Sequence, residues 1–120
     1  ALKGAVDAIL VDIHAEATSE KMALARYLDG RVAAVLGTHT HVQTADEQVL
    51  SDGTAFISDV GMTGPVEGII GMDAATVLKR FTTSMPMPFE PAEGRAQLNA
   101  VLVTLRKGGM AERIERIRID

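Results

Sequence analysis

Cysteine is absent from these 120 residues, which excludes disulfides, thiolate-bound zinc and a thiol nucleophile and leans towards a cytosolic setting. Tryptophan is absent too, and one Tyr and three Phe bring the aromatic share to only 3%. So few rings cannot tile a stacking platform for single-stranded nucleic acid. Basic charge is in deficit: 12 Lys and Arg face 16 Asp and Glu, a net charge of −4, the wrong sign for a broad footprint on a phosphate backbone. No apolar run approaches the roughly 20 residues of a membrane span, and Ala1, Leu2, Lys3 and Gly4 do not have a signal-peptide layout. What is present is 47% hydrophobic and 23% charged residues, the balance of an ordinary soluble globular chain. Residues 1–120 are read as a single unit.

From Ala8 to Val11 the side chains are continuously apolar, the pattern of a strand buried on both faces. A second run, Val32 to Leu36, ends at Gly37 and has the same character. Between them a helix is expected from Thr18 or Ser19, either of which can cap its first turn, with Glu20 favourably placed against the helix dipole. Met22, Ala25 and Leu28 form its apolar stripe, and Gly30 its stop. Strand, helix and strand at this spacing make a parallel βαβ unit.

Thr54 to Ser58 predicts a third strand, entered through Ser51, Asp52 and Gly53, and the passage from Asp59 to Pro65 is too punctuated for a regular element. Asp73 is placed to cap a second helix whose apolar face is Ala74, Val77, Leu78 and Phe81. Met85-Pro86-Met87-Pro88 reads as an extended connector. Leu98 to Leu105 and Glu112 to Ile119 form a hairpin about Gly108 and Gly109. Ile114 has the opposite parity to Ile117 and Ile119, which predicts a bulge near Glu115 or Arg116. The fold class is α/β, with parallel strands first and an antiparallel hairpin after them.

The three histidines, His14, His39 and His41, each follow one of the two early strands at its carboxyl end. Ligands of open α/β sheets bind in the crevice beyond those ends, where neighbouring strands lie about 4.8 Å apart. In an extended segment His39 and His41 would aim to one side, with His14 approaching from the next strand, which suits shared or neighbouring metal ions. Taken singly, each is better explained as an exposed or hydrogen-bonded loop histidine; it is the three together at strand ends that favour metal. Asp12 and Glu16 either orient an imidazole or bind metal, or serve as a strand-end cap and a solvated carboxylate. Asp46 and Glu47 read as surface charges. The Gly61 to Gly64 loop offers backbone N–H groups to a phosphate or simply turns the chain. Thr38, Thr40, Thr44 and Thr63 bring hydroxyls to the same rim, where such groups commonly bond local backbone. There is no P-loop signature, no GxSxG elbow and no HExxH helix.

Three strings carry a resemblance: Asp12-Ile13-His14-Ala15-Glu16-Ala17-Thr18-Ser19-Glu20-Lys21, Gly37-Thr38-His39-Thr40-His41-Val42-Gln43-Thr44-Ala45-Asp46 and Asp59-Val60-Gly61-Met62-Thr63-Gly64-Pro65. With Arg80-Phe81-Thr82-Thr83 and Gly94 to Ala100, they resemble the YmdB-type phosphodiesterases, a bacterial branch of the calcineurin-like metallophosphoesterases. The resemblance implies an α/β sandwich of two mixed sheets flanked by helices and a centre of two divalent metal ions, iron or manganese, bridged by a water or hydroxide. His14 and His39 would bind one ion and His41 the other. It also implies hydrolysis of phosphodiesters, notably 2′,3′-cyclic nucleotides, a cytoplasmic location and self-association as a homo-oligomer.

The family's aspartate ligand, glutamate-asparagine pair and asparagine-histidine motif, which bring the remaining ligands and the leaving-group histidine, do not occur in this sequence. The chain is therefore expected to be the C-terminal half of a metallophosphoesterase domain, partnered by the N-terminal half of the same protein, with its general acid outside residues 1–120. Three histidines leave two cations short of their usual four to six donors each, and carboxylates are the donors expected from the missing half. Expressed alone, the chain is expected to be poorly soluble or loosely packed. Two other readings stand beside this one: a mononuclear zinc hydrolase on three histidines, and a non-catalytic regulatory or RNA-associated module on the same scaffold.

Overall fold

In the computed structural model, which describes residues 4–120, the elements in chain order are β1 (Leu10–His14), α1 (Thr18–Leu28), β2 (Ala34–Thr38), β3 (Gln48–Val49), β4 (Ala55–Ile57), β5 (Gly64–Pro65), α2 (Ala74–Thr83), β6 (Ala96–Leu105) and β7 (Ala111–Ile119). The first sheet has the order β1-β2-β4-β3. Its first three strands are parallel, and β3, a strand the sequence pattern does not signal, runs antiparallel to β4. The second sheet, β5-β6-β7, is antiparallel throughout. This is the α/β, two-sheet architecture expected.

The first strand begins at Leu10 instead of Ala8, and it is not buried on both faces. It forms the outer edge of its sheet, where Leu10 is 61% exposed, while β2 beside it lies between two neighbours and is largely buried. The shift carries His14 into the last strand position, in register with Thr38. The caps expected at Thr18 and Ser19 also move. Both lie inside α1, and Ala17 takes the N-cap position without a side-chain bond. Of the expected stripe Ala25 is buried and Leu28 packs against the core, but Met22 is exposed and Lys21 takes its place in the buried face.

Two apolar layers hold the sheets. Ala25, Val32, Val35, Leu50 and Phe56 pack on the helix side of the first sheet. Ala34, Ala55, Ile57, Ala111 and Ile114 pack between the sheets. The two groups alternate along β2 and β4, as a strand with both faces covered requires. The hairpin bulge falls at Glu112, between the pairs Thr104↔Arg113 and Leu105↔Ala111, and not near Glu115 or Arg116. The extra residue turns both Ala111 and Ile114 inward despite their opposite parity, and Ile117 simply faces the other side. Among the described residues no helix is long and apolar enough to cross a membrane.

Candidate metal centre

His14 ends β1, and His39 follows β2 directly. Parallel pairing of the two strands makes their carboxyl ends neighbours, and the two imidazoles meet there. His14 Nε2 and His39 Nδ1 are 3.1 Å apart, with the rings edge to face at 5.0 Å between centroids. A chain of bonds sets the His14 tautomer. The Thr38 hydroxyl donates to the Ile13 carbonyl at 3.4 Å, so its oxygen accepts from His14 Nδ1–H at 3.1 Å, which leaves Nε2 with its lone pair towards His39.

His41 goes elsewhere. Its Nδ1 lies 3.0 Å from the Ile70 carbonyl, an atom that can only accept, so this nitrogen carries the proton and Nε2 keeps the free lone pair. The extended segment expected to align His39 and His41 does not form. His39 has φ 134° and His41 φ 66°, both in the region that disfavours residues with a Cβ. The strain separates the two rings and gives His39 to His14.

These donors fit a cation. Two nitrogens in cis positions about one ion at about 2.1 Å stand about 3 Å apart, close to the observed His14–His39 separation, and an outer oxygen partner on the opposite ring nitrogen is the usual arrangement for ligating histidines. Among the described residues, however, no three or more His, Cys, Asp or Glu gather as a metal group. Asp12 and Glu16 are exposed and do not complete such a group with the histidines.

The residues that shape this loop were largely hidden in the sequence. Asp59 and Lys21, each 1% exposed, form an ion pair with Nζ–Oδ2 at 3.5 Å. Asp59 also accepts from the Thr40 N–H at 2.7 Å and the Gly61 N–H at 2.9 Å. Burial pushes the Asp59 carboxyl up, but these N–H groups and the Lys21 ammonium outweigh it and hold it below the ordinary value. Asp46 and Glu47 are partly buried and tied down, unlike the surface charges expected. Asp46 accepts from both the backbone N–H and the hydroxyl of Ser58, and Glu47 pairs with Arg116 at 2.9 Å. Their spacing carries no periodic signal, since the contacts are all long-range.

A family model described as YmdB-like protein matches residues 1–117. The chain belongs to the YmdB-like family. It is 56% identical over 113 residues to a 2′,3′-cyclic-nucleotide 2′-phosphodiesterase of Bacillus subtilis strain 168, a match that covers 93% of this chain and 43% of that protein. Among solved structures it resembles a hypothetical protein of Thermus thermophilus at TM-score 0.90 and 50% identity, over 94% of this chain and 44% of the other. A novel phosphatase of Mycoplasma pneumoniae matches at TM-score 0.90 and 39% identity, over 98% and 43%. The chain thus spans less than half the length of the relatives it matches.

Proposed function

We propose that the protein to which this chain contributes hydrolyses phosphodiester bonds, 2′,3′-cyclic nucleotides among them, with two divalent cations, iron or manganese. The observation that carries the proposal is the His14–His39 pair at the ends of parallel strands, with oxygen partners fixing the outer side of His14 and of His41. The name of the B. subtilis relative supports the substrate class. His14 Nε2 and His39 Nδ1 would hold one ion, and His41 Nε2 would serve the other. Bound there, such ions supply an activated water and neutralise phosphate oxygens. This chain's own part is to aim three imidazoles and, through the Thr38 hydroxyl and the Ile70 carbonyl, to turn the Nε2 lone pairs of His14 and His41 towards the ligating side.

The remaining donors and the leaving-group acid belong, in this reading, to the N-terminal half of the same protein. Two apolar surfaces support such a partner. The outer edge of the first sheet presents Leu10, and the outer face of β6 and β7 presents Leu98, Leu102 and Ile119, all exposed. Burial of patches of this kind is a usual requirement for a stable domain. A cytoplasmic location and self-association are part of the same proposal. A single zinc on three histidines has less support, because His41 is held apart by Ile70.

Elemental analysis of the whole protein, with assays on 2′,3′-cyclic AMP and bis(p-nitrophenyl) phosphate, tests the proposal. Two ions per chain, and loss of both metal and turnover when His14, His39 and His41 are changed to alanine, are expected. Turnover that survives the triple change would overturn it. Cyclic nucleotide bound but never hydrolysed with any divalent metal would favour the non-catalytic module.

A further inference from the structure

Helix α1 buries a lysine where its sequence pattern offers Met22. The stem of Lys21 crosses β2 at Gly37, where a Cβ would stand 2.9 Å from the Lys21 Cδ and would collide with the Ser58 carbonyl oxygen. Glycine therefore lets the lysine through to Asp59, beyond the end of β4. A buried ammonium and carboxylate, each 1% exposed, are costly to desolvate. Such a pair calls for a role beyond core packing.

That role lies in what Asp59 grips. Its Oδ2 holds the Thr40 N–H, the peptide between His39 and His41, and its Oδ1 holds the Gly61 N–H. The Asp59 backbone closes the other side, because its N–H donates to Thr44 Oγ1 at 2.9 Å and its carbonyl accepts the Thr44 N–H at 3.0 Å. The Met62 N–H then bonds the His41 carbonyl at 3.2 Å. The segment from Thr40 to Thr44 is thereby fastened to the segment from Asp59 to Met62. Gly61, at φ 83°, permits the close approach, since a Cβ there would lie 2.8 Å from the Gln43 nitrogen.

We infer that Asp59, charge-balanced by Lys21, is a positioning residue for the metal centre: it holds the Thr40 peptide and so imposes the positive φ of His39 and His41 that sends one ring to His14 and the other to Ile70. The inference rests on the metal reading above. Asparagine at position 59 keeps one acceptor but turns an NH₂ group towards either an N–H donor or the Lys21 ammonium, and it strands that ammonium without a counter-charge. Neither imidazole is altered, so the loss is one of aim.

The test uses the whole protein with manganese as the probe and compares Asp59→Asn, the double variant K21M/D59N and His39→Ala by manganese titration and thermal unfolding. D59N should weaken manganese binding about 10- to 100-fold, the usual effect of removing an outer-shell support. The double variant carries neither buried charge. It should melt near the unaltered protein yet bind manganese as weakly as D59N, which keeps the test open if D59N does not fold. Manganese binding at full strength in the double variant overturns the inference, because charge balance alone would then suffice. So does loss of melting temperature in D59N with manganese affinity intact. If His39→Ala itself binds manganese normally, the metal reading fails and this inference with it; if His39→Ala loses manganese while D59N keeps it, only the positioning role falls.

Discussion

Among the described residues, helices α1 and α2 differ in a way opposite to their sequences. Helix α2 has every local signal: Asp73 accepts the Thr76 N–H at 2.8 Å as its N-cap, Ser84 ends it in the left-handed conformation, and Val77, Leu78 and Phe81 share a face. Yet Leu78 is 56% and Phe81 79% exposed. Helix α1 has no side-chain cap and a mixed surface, yet it is anchored over the first sheet by Ala25 and by the buried Lys21–Asp59 pair. An amphipathic pattern says which face of a helix is suited to burial. It does not say that a neighbour exists to bury it.

The comparison is broken most severely at Lys21. Lys21→Ala removes the anchor of α1 and leaves Asp59 as an uncompensated buried charge, which should cost about 3–5 kcal/mol. Urea unfolding of the whole protein measures it, and a loss under about 1 kcal/mol would show that Ala25 and Leu28 alone hold the helix. A milder break is acid. Burial raises the carboxyls of Asp46 and Asp59, but Ser58 and Thr44 around the first, and Thr40, Gly61 and Lys21 around the second, bring both below the ordinary 3.8. Groups with depressed values give a stability that is complete above the unfolded value and lost as pH falls through the lower folded one. Thermal unfolding should therefore be flat above about pH 5 and fall below about pH 4. D59N should shrink that fall, and an unchanged profile would count against Asp59 as a charged anchor.

The smallest effect belongs to α2. Phe81→Ser replaces a mostly exposed ring and should change unfolding free energy by less than about 0.5 kcal/mol. The same urea series checks it. A loss of about 2 kcal/mol or more, roughly that of a fully buried side chain, would mean that another polypeptide covers this face in the assembled protein, and the contrast between the helices would then belong to this chain alone.

Much of this was open to reading from the residues in order. Apolar runs and the turn residues that bound them gave β2, β4 and the β6–β7 hairpin, Asp73 gave the start of α2, and the three histidines at strand ends gave the neighbourhood of the proposed site. Each of these depends on spacing along the chain, and periodicity and capping are local properties. The strings around His14, His39 and Asp59 also carried the family.

What only the tertiary structure decided is where distant atoms meet. The edge position of β1 exposes Leu10, and one extra residue at Glu112 sets the faces of β7. Positive φ at two histidines splits a pair that an extended chain would have aligned, and His14 meets His39 instead. Lys21 and Asp59, 38 residues apart, meet under a glycine that has no side chain to stop them. Such contacts depend on register, strain and the space left between layers, which no window of neighbouring residues records. The sequence alone determined the family and which side chains the chain brings; the packing of its layers decided where those side chains point.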